Sequence, residues 1–161
     1  MSAIKFQKLV NNSFLFRLFL LKSLPLAYIA GVRIKKLTNE IAITTVKYKW
    51  LTQNPFKSMY FGCQAMAAEM STGILVMNYT YLAKPGISML VVGNSAVFMK
   101  KATGKITFTC DQGNYVIESI TKSKQTGEGV VFDLKSVGKD EQGDIVSEFT
   151  FTWSLKAKAK W

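Results

Sequence analysis

The stretch from Asn54 to Asn78 constrains the fold most, because between Met59 and Met77 it carries a single charge, Glu69. Apolar residues recur there at spacings of three and four, the periodicity of an α-helix: Met59, Cys63, Met66, Met70, Ile74 and Met77. A second face holds small residues and the acid: Gly62, Ala65, Glu69 and Thr72. A helix that is apolar nearly all round belongs inside a fold. The sequence therefore predicts a buried central helix that carries one carboxyl group.

That carboxyl group needs an explanation, because an isolated carboxylate is costly to bury. It must be paired, kept protonated or used in chemistry. Glu69 is therefore the leading candidate for a catalytic residue. The alternative is a structural acid that a Lys, Arg, Tyr or backbone N–H satisfies.

Most of the remaining chain is typical of β-strands. Residues 32–37 and 41–50 predict a hairpin that turns at residues 38–40, and residues 139–143 predict a second hairpin loop. Four further strands and one short helix are expected after the central helix: strands over 87–102, with a bulge near Gly93, 105–110, 129–138 and 144–156, and the helix over 113–127. The pattern predicts an α+β domain, with an antiparallel sheet of five to six strands wrapped around the central helix. Free sheet edges favour a homodimer.

Residues 5–22 have the pattern of an amphipathic helix with a very apolar middle, followed by a turn over 23–31. Arg17 interrupts the apolar run, which is too short for a membrane span. We expect residues 1–24 to form a helix packed on a single domain of residues 25–161. A helix lying on a membrane surface is the less favoured alternative.

Composition excludes several classes of site. The chain has 161 residues, no histidine and a net charge of +11. Without histidine, imidazole-based triads and most catalytic zinc sites are excluded. Cys63 and Cys110 are too few for a disulfide framework and indicate buried thiols in a reducing compartment, so we expect a cytoplasmic protein without a metal site. The positive charge favours an anionic partner such as coenzyme A, nucleic acid or acidic lipid.

The segment from Asn54 to Glu69 resembles the hotdog-fold thioesterases, in particular the acyl-CoA thioesterases of the phenylacetate-pathway type. Asn54 and Glu69 are fifteen residues apart, Gly62 lies eight after Asn54, and Ala68-Glu69 stands where that group has Ala-Asp. The segment is most similar to a poorly characterised branch that carries Glu. Several positions depart from the group's pattern: Lys57 replaces a frequent Gly, Tyr60 a frequent His, and Phe61-Gly62 a frequent pair of glycines.

The resemblance implies a hotdog fold and hydrolysis of an acyl-CoA, with the coenzyme A moiety as part of the substrate and no separate cofactor. Glu69 would be the general base or nucleophile, and Asn54, of the same or a neighbouring subunit, would hold the water or the carbonyl. The backbone amides of Phe61 and Gly62 would form the oxyanion hole. The residues implied to contact the substrate are Lys57, Tyr60, Ala65, Lys100 and Lys101, with Lys84 a further candidate for the phosphates.

Other functions stay open. A non-catalytic hotdog module that binds acyl-CoA or another acyl ligand is the main alternative, because two motif positions are altered. A hotdog dehydratase is disfavoured, since that chemistry normally uses a histidine. A nucleic-acid-binding protein is also disfavoured, because the aromatic residues fall on core-facing strand positions. The resemblance predicts a homodimer, with a tetramer as the alternative.

Overall fold

Six antiparallel strands in the described part of the chain form one sheet around a long helix. The computed structural model describes residues 2–158. The helices are α1 (Ser2–Asn11), α2 (Ser13–Ser23), α3 (Pro25–Ala30), α4 (Phe61–Thr80) and α5 (Gly113–Thr126), with a 3₁₀ turn over Trp50–Thr52. The strands are β1 (Arg33–Leu37), β2 (Ala42–Lys47), β3 (Ile87–Phe98), β4 (Lys105–Cys110), β5 (Gly129–Lys139) and β6 (Ile145–Ala157). Their order across the sheet is β1-β2-β4-β5-β6-β3.

The predicted central helix is α4, and buried polar side chains join it to three strands. Thr44 on β2 donates to the carbonyl oxygen of Ala67 at 2.6 Å. The Ser71 and Ser136 hydroxyls are 2.7 Å apart, which joins α4 to β5. The indole of Trp153 on β6 donates to Thr72 at 3.2 Å. Because buried hydrogen bonds are directional and costly to break, they fix the rotation of α4 over the sheet and so the direction in which Glu69 points.

Both predicted hairpins are confirmed, and the long strand β3 carries the expected irregularity. β1 pairs with β2 and β5 with β6, each antiparallel. The register of β3 against β6 shifts between Val91 and Gly93, as a β-bulge requires. The predicted helix over 113–127 is α5, which ends at Gly127 in the left-handed conformation. These features agree with the expected α+β architecture.

The N-terminal segment differs from the expected single helix over 5–22. It consists of two helices separated at Asn12, whose side chain accepts hydrogen bonds from the N–H groups of Phe14 and Leu15 and so caps α2. The predicted turn over 23–31 contains a third helix, α3, which begins at Pro25. Proline suits a first helical position because its φ is already helical and it lacks an N–H that would go unpaired. Of these three short helices, α1 and α3 pack on α4, and α2 packs on both of them.

The two edges of the sheet are unequal. β1 is short, and its outward side chains include Lys35 and Lys36, which are exposed. β3 is the longest free edge in residues 2–158, and its exposed side chains include Leu90, Val92 and Val97. Charged and short edges resist pairing with another strand, whereas long apolar edges invite it. β3 is therefore the edge that is open to a second chain.

The 3₁₀ turn corrects one sequence expectation. The strand predicted over residues 41–50 would put Trp50 on the same face as Val46. The strand instead ends at Lys47, and the chain turns, so that Trp50 is 78% exposed. The turn is held by Thr52, which accepts from the N–H of Lys49 and donates to the carbonyl of Lys47.

Candidate active site

Glu69 lies on the face of α4 that the N-terminal helices cover. It is only partly exposed, and it lines a cavity of about 290 Å³ between α4 and the α2–α3 junction. The wall of this cavity, called here the Glu69 cavity, is mostly apolar and is formed by Ser23, Leu24, Pro25, Leu26, Ala27, Met66, Glu69 and Met70. The carboxyl group is thus the acidic group of a mainly apolar compartment.

Among residues 2–158, no side chain or backbone group forms a hydrogen bond or ion pair with the Glu69 carboxyl group. Burial raises the pKa of Glu69 above its ordinary value of 4.5, because transfer from water disfavours the charged form. The structural alternative predicted from the sequence, an acid satisfied by a basic partner, has no support in the described residues. A carboxyl group of this kind binds its proton more tightly and is a stronger base once ionised.

A second cavity, of about 590 Å³, lies at the start of α4. It brings together several residues that the sequence singled out, Asn54, Tyr60, Phe61, Lys100 and Lys101. Its other lining residues are Pro55, Phe56, Ser58, Met59, Gln64, Phe98, Met99 and Ala102. We call it the helix-start cavity. Glu69 does not line it.

The first turn of α4 offers free hydrogen-bond donors to this region. The N–H groups of Cys63 and Gln64 bond to the carbonyl of Tyr60, but no acceptor in residues 2–158 takes the N–H of Phe61 or Gly62. Such unpaired amides, together with the helix dipole, stabilise negative charge. A Cβ built at Gly62 would lie 2.6 Å from Cε1 of Tyr60, so only glycine lets this tyrosine ring pack here.

Asn54 organises the loop that leads to α4. Its side-chain oxygen accepts hydrogen bonds from the N–H of Phe56 at 3.0 Å and from the N–H and hydroxyl of Ser58 at 3.2 Å each. Its amide nitrogen donates to the carbonyl of Met59 at 3.4 Å. The loop includes Lys57 at φ 55, a conformation that needs such support in a residue other than glycine. The loop therefore depends on this asparagine.

We expect Asn54→Ala to lower the free energy of unfolding by about 1–2 kcal/mol, because the N–H and hydroxyl of the buried Ser58 lose their acceptor. Urea denaturation measures this, with Gln53→Ala as the matched control, since Gln53 is exposed and its side chain makes no hydrogen bond in the described structure. Asn54→Asp keeps the acceptor oxygen and should lose less. Equal stability of the Ala variants at positions 53 and 54 would contradict this role.

The lysines implied to contact substrate differ in their surroundings. Lys100 donates to Asp140 and Asp144 at 2.6 Å each, and these bonds raise its pKa and compensate its charge. Lys101 donates to the carbonyl of Phe56 at 3.3 Å and forms no ion pair in residues 2–158. Lys57 is exposed on the loop after Asn54 and does not line the helix-start cavity. Of the three, Lys101 remains the cation at the cavity that can meet an anion.

Ala65 and Lys84 lie away from both cavities. Ala65 is partly exposed on α4 and lines neither the Glu69 cavity nor the helix-start cavity. Lys84 lies at the far end of α4, in a basic surface depression that also includes Lys124, Lys156 and Lys158. A single chain therefore gathers only part of the predicted substrate contacts.

Glu69 and the free amides of α4 lie at separate points along the helix. Gly62 and Glu69 are seven residues apart, which is about 10 Å along a helix axis. They share a face of the helix, but Glu69 lines the Glu69 cavity, whereas Phe61 lines the helix-start cavity and Gly62 lines neither. Within one chain the two groups therefore belong to separate parts of the candidate site.

Sequence reasoning did not identify two parts of the site. Residues 23–27 form the outer wall of the Glu69 cavity. In the sequence, only Pro25 indicated a helix start in this segment. Gln64 is buried beneath the helix-start cavity, where it accepts from Ser147 at 2.9 Å. Gln64 could have been identified from its position within the apolar run of α4, because an amide that is buried there needs hydrogen-bond partners.

Other reactive groups give no competing site within residues 2–158. Cys63 and Cys110 are buried free thiols, as expected. Burial raises the pKa of both, that of Cys110 to about 12, so neither is a ready nucleophile. No cluster of three potential metal ligands occurs in this part of the chain.

Several solved structures of other proteins are similar to this chain along most of its length. A protein from Pseudomonas aeruginosa described as of unknown function and a probable thioesterase has a TM-score of 0.74 at 18% identity, covering 98% of this chain and 97% of its own. A Chlorobaculum tepidum protein of unknown function has a TM-score of 0.74 at 13% identity, covering 97% and 94%. A Haemophilus influenzae thioesterase has a TM-score of 0.63 at 14% identity, covering 89% and 90%.

At these identities the likeness shows the fold alone, and it confirms the predicted hotdog fold. No curated protein matches the sequence significantly. The model of a family described as a domain of unknown function, DUF4442, matches residues 13–155, most of the chain. The chain therefore belongs to the DUF4442 family.

Proposed function

We propose that this protein hydrolyses an acyl thioester, with acyl-CoA as the substrate class and Glu69 as the general base or nucleophile. One observation carries the proposal. The carboxyl group of Glu69 is only partly exposed, lies beside an apolar cavity, and is not neutralised by any described residue. Such a group makes folding less favourable, and use in chemistry accounts for its presence.

In the general-base route, ionised Glu69 takes a proton from water as the water oxygen attacks the thioester carbonyl carbon. The carbonyl becomes a tetrahedral oxyanion, and the unpaired amides of Phe61 and Gly62 stabilise it. The intermediate then collapses, the C–S bond breaks, and the sulfur takes the proton from Glu69. The products are the carboxylic acid and the free thiol, and Glu69 is ionised again.

In the nucleophilic route, a Glu69 oxygen attacks the carbonyl carbon and displaces the thiolate. The resulting anhydride between the acyl group and the side chain is then hydrolysed by water. Both routes need the same carboxylate and the same oxyanion donors. They differ in whether the acyl group becomes attached to the protein, which trapping of an acyl-enzyme detects.

The proposed active form is a homodimer joined along β3. This edge carries the exposed apolar residues Leu90, Val92 and Val97, and Phe98 at its end packs edge-on against Phe61. Pairing of two β3 strands would bury the apolar edge and bring the start of α4 of one subunit towards its neighbour. Glu69 of one subunit would then act with Asn54 and the free amides of the other.

The two cavities suit the two ends of an acyl-CoA. The Glu69 cavity has an apolar wall for the acyl chain, including Met66 and Met70, whose flexible side chains adapt to different chains. The helix-start cavity has Lys101 for a phosphate and aromatic rings, among them Phe98 and Tyr60, for the adenine.

The test is turnover of an acyl-CoA panel by the purified protein, measured as release of free thiol. Thioesterase activity predicts steady hydrolysis of at least one member at catalytic protein concentrations. The alternative, a module that binds acyl-CoA without cleaving it, is favoured by one contact, since the Tyr60 ring packs on Gly62 beside the amide donors. Saturable binding of acyl-CoA without thiol release would establish that alternative.

A further inference from the structure

The N-terminal helices expose an unusually apolar outer surface. Phe16 and Leu20 pack into the core, as the sequence predicted for this segment, while the opposite side of α2 remains in solvent. We call the exposed set the N-terminal apolar surface. Its members, all 43–78% exposed, are Phe14, Leu15, Leu18, Leu21, Leu24, Leu26, Ile29, Trp50 and Leu51. Exposed apolar sets of this size usually mark a contact with another molecule.

The charge around this surface has one sign. The first 39 residues contain seven Lys and Arg and no Asp or Glu, since Glu40 is the first acid in the chain. Arg17 and Lys22 lie on α2 itself and are exposed. The Nζ of Lys49 donates to the carbonyl of Ile29 at 3.3 Å, which places a further cation beside α3 and the 3₁₀ turn. The acid Glu69 lines the Glu69 cavity, whose wall includes Leu24 and Leu26.

Two arginines pack on the same aromatic ring, and neither has a counter-ion in the described residues. The guanidinium carbons of Arg17 and Arg33 each lie 5.9 Å from the centre of the Tyr28 ring. No carboxylate in residues 2–158 pairs with either one. Partial burial and the charge of Arg17 lower the pKa of Arg33, the direction expected for neighbouring cations. A phosphate at either guanidinium group would offset this repulsion, and guanidinium groups bind phosphate well.

We propose that the N-terminal apolar surface docks on an anionic lipid bilayer, with apolar side chains in the acyl boundary and Arg17, Lys22 and Arg33 on lipid phosphates. Helices that lie on membranes combine these two features, and Trp50 is of the type enriched at that depth. The described helices do not include one that is both long and apolar enough to cross a bilayer. A second copy of this chain fits poorly, because a symmetric contact would place like charges face to face.

Vesicle binding by the full chain tests the proposal. We expect the protein to float with vesicles of phosphatidylcholine containing phosphatidylglycerol, to bind pure phosphatidylcholine weakly, and to lose binding as salt rises. Arg17→Gln with Lys22→Gln should weaken binding about tenfold or more, since each basic residue near such a surface contributes about 1 kcal/mol. Leu18→Ser with Leu21→Ser should weaken it comparably by removing the inserted side chains.

Matched controls lie on the far side of the fold. Lys122→Gln with Lys135→Gln removes the same charge from exposed positions of α5 and β5, and Ile117→Ser with Val131→Ser removes exposed apolar residues from the same elements. All eight positions are exposed, and unchanged melting temperatures should confirm that the variants fold. Equal effects of the test and control pairs would overturn the proposal.

Two other results would also overturn it. Equal binding to neutral and anionic vesicles, or none to either, would remove the electrostatic basis. A smaller oligomer for Leu18→Ser with Leu21→Ser in the absence of lipid would show that a second copy of the chain covers this surface. None of these outcomes depends on thioesterase activity, so the docking proposal and the proposed function fail separately.

Discussion

Replacement of Glu69 by Gln should lower the rate of thioester hydrolysis by about 10²–10⁴-fold, the usual contribution of a general base. A still larger loss is expected if Glu69 is the nucleophile. Glutamine has nearly the same shape as glutamate, so the cavity and the fold should be retained. Single-turnover measurement of thiol release distinguishes a loss of chemistry from a loss of binding.

The same substitution should make the protein more stable at neutral pH. Below pH 4.5 the carboxyl group is protonated in both folded and unfolded chains, and it has no charge to bury. As the pH rises from 4.5 through the raised pKa of the folded state, the carboxyl group ionises more readily in the unfolded chain than in the folded one. The free energy of unfolding therefore falls over this pH range. A glutamine side chain does not ionise, so we expect Glu69→Gln to be more stable than the wild type at pH 8, a gain that vanishes at low pH.

Urea denaturation at pH 4 and pH 8 measures this difference. Glu118→Gln is the matched control, because Glu118 is exposed on α5, and its replacement should change stability little at either pH. If Glu69→Gln destabilised the protein at pH 8, the carboxylate would have a structural role. If the variant kept full activity, Glu69 would not be the catalytic acid or base.

Mixed dimers should recover activity that neither parent variant has. In the proposed arrangement, Glu69 of one subunit acts with Asn54 of the other. A dimer of one Glu69→Gln subunit and one Asn54→Ala subunit then contains one site with both substitutions and one intact site. Purified mixed dimers should show about half of the wild-type activity, since one of two symmetric sites is restored.

Two affinity tags on co-expressed subunits isolate the mixed dimer. Each homodimeric variant should be nearly inactive, Asn54→Ala by about 10²–10³-fold if it holds the carbonyl or the water. The control is a mixed dimer that carries both substitutions in one subunit, beside a wild-type subunit. Each of its sites then contains one substitution, so it should be nearly inactive. Activity in this control and none in the first pairing would place Glu69 and Asn54 in the same site of one chain.

The spacing of apolar residues predicted the fold, because the same spacing repeats over many residues of the core elements. The run around α4 and the alternation of β6 each extend over several turns or residue pairs, so single exceptions do not obscure them. The breaks between α1 and α2 and between α2 and α3 each depend on a single residue. Asn12 caps α2 with its side chain, and Pro25 begins α3, and such local signals are easily outweighed by an apolar run that continues across them.

The candidate site was partly predictable for the same reason. An unpaired acid within an apolar helix is visible in the sequence, and Glu69 lies at a cavity, as an acid available for chemistry must. The ion pairs of Lys100 could not be predicted from the sequence, because Asp140 and Asp144 lie about forty residues further along the chain. The wall formed by residues 23–27 likewise depends on how three short helices pack.

The contrast between the two edges of the sheet limits how large an assembly can grow. If the β3 strands of two molecules paired as proposed, each outer edge of the combined sheet would be a β1 strand, which is short and carries the exposed Lys35 and Lys36. A third molecule finds no receptive strand there, so edge-to-edge addition stops at two. An apolar β3 edge therefore need not lead to fibres, because the lysine-bearing β1 edge on the other side of the sheet disfavours further pairing.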